Sequence, residues 1–142
     1  MTKALPLIAR ILIALVFIPG ALFKLMAFDQ TAGWMASVGF PAASVFLVIG
    51  IAIEIIGGLS VLVGYKAEWG AAILAVFLLI ATIVFHRNIG DPEQMAHFTK
   101  NLAVIGGLLL IIHFGSGPLS MDSKSTPKVE KISKDEGDSD AD

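Results

Sequence analysis

Glu54 is the only charged residue between Ala42 and Tyr65, a stretch of 24 residues. About 20 apolar residues are enough to cross the hydrocarbon core of a bilayer. An ionisable group at that depth costs about 3 kcal/mol or more and faces a bundle interior, a partner or a cavity. Gly50, Glu54 and Gly58 recur at every fourth position and share a helix face, with Gly57 beside them. Small residues let a second helix come close, so Glu54 is expected in a helix–helix seam, away from lipid. Two roles fit a carboxylate there. One is structural, as an ion pair or a protonated acid hydrogen-bonded across the bundle. The other is a proton-active or ligand-binding group.

Depth along the helices suggests a partner. At ~1.5 Å per residue, Glu54 lies roughly 15 Å from the inner end of its span, and Arg10 about 7 Å from the inner end of the first. Two long side chains could close that gap. By the same rise Lys24 falls roughly 13 Å further out than Glu54. The arithmetic therefore predicts a Glu54–Arg10 pair, with His113 as a second partner because its depth resembles that of Arg10.

A second cluster gathers at the opposite mouth: Lys24, His86, Arg87, Lys100 and Asn101, contributed by three spans. Helix-end Lys and Arg ordinarily snorkel to headgroups. Three cations and a histidine converging with few acids nearby would equally suit an anionic headgroup, a quinone carbonyl or a small anion. His86 and His97 are metal-ligand types, but no spacing supports a full first shell. No phosphate loop, dinucleotide fingerprint, haem-attachment motif or nucleophile elbow is present.

The composition settles the class that must position these groups. The chain of 142 residues is 56% hydrophobic and 15% charged, with a mean hydropathy of +0.81, far from the soluble norm of about 25% charged. Its net charge of -2 hides a segregation. Residues 116–142 hold four Lys and seven Asp or Glu, while the first 115 residues hold six basic and five acidic groups. Neither part has the basic surface of a nucleic-acid binder. Without cysteine there is no disulfide, thiol chemistry or Cys-ligated metal.

Four spans follow, at about residues 5–25, 42–64, 69–86 and 100–117, giving an all-α integral membrane four-helix bundle embedded in the lipid bilayer. The first continues through Leu22 and Phe23 past a poor cleavage pattern, which argues against a signal peptide, and Pro19 inside it predicts a kink. Between spans one and two, Asp29 can cap a short interfacial helix running to Val38, with Gly39 just past its end. Phe28, Trp34, Met35 and Phe40 fit an interfacial belt, and Pro41 begins the second span. Residues 89–99 read as a polar loop. Residues 1–115 form the membrane domain, and residues 116–142 read as a disordered cytoplasmic tail. Seven basic residues against three favour both termini on the inner side. Matches at an offset of 62 residues, and Ile56-Gly57-Gly58-Leu59 recurring as Ile105-Gly106-Gly107-Leu108, hint at two related hairpins.

In order and spacing these residues resemble the DoxX family of small four-span bacterial membrane proteins. The resemblance is carried by Arg10 and the apolar run to Gly20-Ala21-Leu22-Phe23-Lys24-Leu25, by Trp34-Met35 and by Gly39-Phe40-Pro41. It continues through Glu54-Ile-Ile-Gly57-Gly58-Leu59 to Gly64, then Lys100-Asn101-Leu102 and Ile105-Gly106-Gly107-Leu108-Leu109. It covers about residues 5–115 and implies a multi-pass protein of the bacterial cytoplasmic membrane. Some members look like subunits of thiosulfate:quinone oxidoreductase, and others are linked to complexes handling thiol and oxidative stress. The resemblance therefore implies a quinone-linked role, with Arg10, Lys24, Glu54 and Asn101 at matching positions. Electrons would need an oxidoreductase partner subunit, since this sequence has no cysteine, flavin motif or haem ligand pair. The competing readings are a non-enzymatic assembly or stress protein, and a proton-coupled carrier built on Glu54, which would require a homo-oligomer.

Overall fold

The computed structural model describes residues 3–125. They form α1 (Leu5–Met26), α2 (Phe28–Ser37), α3 (Ala43–Val63), α4 (Ala67–Phe85), α5 (Pro92–Phe114) and a one-turn α6 (Met121–Ser125). No strand occurs among the described residues. α1, α3, α4 and α5 are each long and apolar enough to cross a membrane. The chain is an all-helical multi-pass membrane protein.

The helices pack in the cyclic order α1, α3, α4, α5, with α2 laid against α3 and only a narrow contact closing α5 onto α1. The proximal end of the bundle holds Leu5 and Met121, and the distal end holds Lys24 and His86. Glycines set the closest approaches. A β-carbon on Gly57 would lie 2.7 Å from the branch carbon of Leu74, and one on Gly58 would lie 2.9 Å from Ile18 Cγ1. The pair thus seats α4 on one side of α3 and α1 on the other. The similar pair in α5 is packed differently: Gly106 faces open space and Gly107 meets only the tip of Ile13. The repeated motif does two different jobs, so stability should separate its copies. Leu74 is fully buried, so Gly57→Ala is expected to lose about 1–3 kcal/mol by overpacking. Gly106→Ala should be neutral, or gain up to about 1 kcal/mol from helix propensity. Unfolding of both variants in detergent checks this; equal effects would contradict it.

Several element boundaries differ from expectation: α2 starts at Phe28 with Ala27, not Asp29, as its N-cap, and α4 starts at Ala67. α5 begins at Pro92, not near residue 100, because Asp91 caps it by accepting from the Glu93 amide at 3.0 Å and Pro92 occupies a first-turn position where no donor is lost. His97 therefore lies one turn before Lys100 and Asn101 on a helix, not in a loop. Pro19 sits within one unbroken α1. Pro41 precedes α3, which starts two residues later after Ala42 in a left-handed conformation.

The chain beyond α5 was expected to be disordered from residue 116. Residues 116–125 instead fold back over the proximal end, while residues 126–142 lie outside the described residues. Asp122 accepts from the amides of Lys66 at 2.8 Å and Ala67 at 3.2 Å, capping α4, and its own amide donates to the Gly64 carbonyl at 2.8 Å. Ser116 and Ser120 are buried and hydrogen-bonded to one another at 2.9 Å. A polar, serine-rich composition hid this segment because its anchors are hydrogen bonds, which leave no hydropathy signal.

Candidate functional site

The expected Glu54–Arg10 pair does not form. Lys24 Nζ lies 2.6 Å from Glu54 Oε1, a short charge-assisted contact. The reason is register. Gly58 packs against Phe17 and Ile18, and Gly64 packs against the Arg10 guanidinium. Four residues back along α3 from Gly58 is Glu54, and four residues on along antiparallel α1 from Phe17 is Ala21. Glu54 is thus level with Ala21, one turn from Lys24. α1 is displaced toward the proximal end, and the α3 turns it leaves uncovered are packed by α2 in a cluster of Ala32, Met35, Ala43 and Leu47.

Arg10 is almost wholly buried but serves the backbone. Its guanidinium donates to the carbonyls of Val61 at 3.4 Å, Leu62 at 3.1 Å and Leu119. Two of these belong to the last turn of α3, where carbonyls have no partner within the helix and the helix end carries partial negative charge. Arg10 therefore caps α3 and ties the returning segment to α1. His113 is also no partner of Glu54: it is exposed near the proximal end, with its ring against Phe114.

Of the distal cluster expected from the sequence, every member but Arg87 converges on one space. Lys24, Glu54, His86, Lys100 and Asn101 all line one cavity of about 560 Å³ in the distal half of the bundle. It lies between two apolar clusters, one around Phe17, Leu74 and Leu108 and the other around Ala21, Met35 and Leu47. Its walls are mostly apolar and aromatic, including Trp34, Phe40, Phe46, Phe77 and Phe85. Phe85 is the hub of the rim, 5.3 Å from both Trp34 and Phe40 between ring centres, and Phe40 meets Phe46 edge-on at 5.0 Å. Trp34 and Phe40, expected in an interfacial belt, both pack on Phe85 of α4, and Trp34 stays 45% exposed. Phe46 and Ile49 on α3 and Ile80 on α4 line the cavity while also being exposed on the apolar exterior. At the α3–α4 edge, the cavity wall and the apolar exterior are thus formed by the same side chains.

Its polar groups are held in place from outside. Asn101 Nδ2 donates to Thr82 Oγ1 at 2.9 Å, and the Thr82 hydroxyl donates in turn to the Leu78 carbonyl at 2.6 Å. Both residues are buried. His86 Nδ1 is 2.8 Å from Gln94 Oε1, and its ring stacks on His97 at 4.9 Å. Glu54 is only 6% exposed, yet its Oε2 has no hydrogen-bond partner among the described residues. Among the described residues no three metal-ligating side chains come together. Thr82 and Gln94 are the residues that sequence reasoning missed. Thr82 carried a signal, as the one polar residue between Trp69 and Phe85. An apolar, aromatic-walled space with a few convergent polar groups is the usual form of a small-molecule site.

The family model described as DoxX matches residues 5–87. The chain is 34% identical over 116 residues to the inner membrane protein YqjF of Escherichia coli, covering 82% of this chain and 88% of that one. It is 31% identical over 124 residues to the inner membrane protein YphA of the same organism, covering 83% and 88%. A match at 31% to the ER-derived vesicles protein ERV29 of Saccharomyces cerevisiae covers 81% of this chain but 32% of ERV29. No solved structure matches. With four spanning helices, the family model across more than half its length and relatives of equal extent, the chain is a multi-pass inner membrane protein of the DoxX family.

Proposed function

We propose that this protein is a binding subunit for a quinone, or a molecule with a quinone's chemistry, within a membrane oxidoreductase complex. The supporting observation is the cavity. At about 560 Å³ it falls in the range of drug-sized ligand sites, about 300–1,000 Å³. A flat ring would lie among Phe77, Phe85 and Trp34, with the Lys24–Glu54 pair and Asn101 near its polar substituents. An apolar tail could leave between α3 and α4, so a ligand dissolved in the bilayer needs no aqueous route. When bound, a quinone supplies reversible two-electron chemistry. This chain's own groups bind and orient its head and exclude water from it. The sequence holds no cysteine, and the electrons belong to a partner subunit.

The test uses the full chain in lipid nanodiscs with Trp69→Phe, so that Trp34 is the only indole. A short-chain quinone should quench Trp34 saturably, with a Kd in the micromolar range. A β-carbon at Gly20 meets nothing within 4 Å, and Gly20 lines the cavity. Gly20→Leu should fill that space and weaken binding at least about tenfold, a loss of ~1.4 kcal/mol, with no loss of thermal stability. Absence of saturable quenching, or unchanged binding in Gly20→Leu, overturns the proposal. Purification from native membranes without quinone or a redox subunit would favour the assembly role.

A further inference from the structure

We infer that the head group held in this cavity carries a hydrogen-bond donor, a phenolic or hydroquinone hydroxyl, and gives it to the free oxygen of Glu54. The inference rests on reading the cavity as a site for a ring-headed amphiphile and adds the form in which that head is held. Four observations carry it. Glu54 is 94% buried by residue, the complement of its 6% exposure, so bulk water does not solvate its carboxylate. Oε1 is engaged by Lys24 at 2.6 Å, and Oε2 has no partner among the described residues. Glu54 is a wall of the cavity. Asn101, on the same cavity wall, gives one Nδ2 hydrogen to Thr82 and none to Oε2.

An ionised carboxylate only accepts. Its ionic contact with Lys24 leaves one acceptor open, and a buried acceptor left unmade is unfavourable. A quinone carbonyl offers another acceptor, so set against Oε2 it repels and satisfies nothing. A hydroxyl on the same ring donates and completes the carboxylate. A methyl ether of that hydroxyl keeps the shape and apolarity but cannot donate. The site should therefore hold the reduced, hydroxyl-bearing head over the oxidised one. Lys24 is the positioning residue that leaves Oε2, rather than Oε1, for the ligand.

The experiment compares three probes sharing one decyl chain: the hydroquinone, the quinone, and the hydroquinone dimethyl ether. Each is equilibrated anaerobically with nanodiscs containing the full chain, and with empty nanodiscs as the blank; bound ligand is measured by chromatography. The hydroquinone should bind at least about tenfold tighter than both others, the scale of one hydrogen bond to a charged group. Glu54→Gln should bring the three within about twofold of one another, because the amide both donates and accepts. The comparison on the unmodified chain needs no variant to fold. Hydroquinone and ether binding equally would overturn the inference while leaving the binding site standing. Binding of none of the three above the blank overturns both.

Discussion

Arg10→Met is expected to destabilise the bundle by about 2–4 kcal/mol, the range for stranding buried backbone acceptors. Methionine keeps the length and apolar stem of arginine but leaves the carbonyls of Val61, Leu62 and Leu119 without their donor. The loss is less than three full hydrogen bonds because Arg10 Nε itself lacks a partner among the described residues, so the native arrangement already carries an uncompensated donor. Unfolding in mixed micelles measures the cost. Hydrogen exchange at Ser120–Asp122 should accelerate in parallel, since Arg10 anchors that segment through Leu119. Arg10→Lys should recover less than about half the loss, because a point charge cannot span two chain segments as a planar fork does. A change within about 0.5 kcal/mol, the usual scale of a surface substitution, would show that Arg10 is not a cap.

The second large effect concerns the Lys24–Glu54 pair. Removing one partner of a fully buried ion pair costs about 3–5 kcal/mol. The Lys24 side chain is 35% exposed against 7% for Glu54, so water screens part of the charge and about 2 kcal/mol is expected for Lys24→Met. Glu54→Gln should cost less, because a neutral amide is cheaper to bury than a carboxylate and Lys24 can extend toward the distal mouth. Combining the two should restore much of the loss, giving a coupling of about 1–2 kcal/mol. Arg10→Met and Glu54→Gln together should be additive, since Arg10 and Glu54 belong to different ends of the bundle. Coupling between Arg10 and Glu54, with none between Lys24 and Glu54, would reverse the pairing.

The two arginine and lysine results bear differently on function. The Arg10 cluster is consumed by backbone carbonyls and holds the proximal end together. The Lys24 cluster faces a cavity and leaves Glu54 Oε2 without a partner among the described residues. A polar group inside a membrane bundle is thus not by itself a site; what separates these two is that Lys24 and Glu54 line the cavity and Arg10 does not.

Much of this was legible along the chain. The four spans, the short helix after Ala27, the seam position of Glu54 and the distal convergence of Lys24, His86, Lys100 and Asn101 follow from hydropathy, from i, i+4 spacing and from the lengths that a bilayer demands. The start of α5 was also written there, in Asp91-Pro92-Glu93, a cap followed by a first-turn proline. These signals are local, and local sequence is enough to specify them. The partner of Glu54 was decided elsewhere. Equating the ends of two spans assumes that helices are flush at the membrane surface. Here the contact of Gly58 with Phe17 and Ile18, and the fit of Gly64 around Arg10, slide α1 along α3 until Lys24 reaches the carboxylate. Register between helices arises from the interlocking of side chains on two faces, which no single segment records. The same slide opens the distal turns of α3 to α2 and creates the aromatic-walled cavity. By itself the sequence determined which residues the membrane bundle must bury; tertiary packing alone decided which of them pair and which line the cavity.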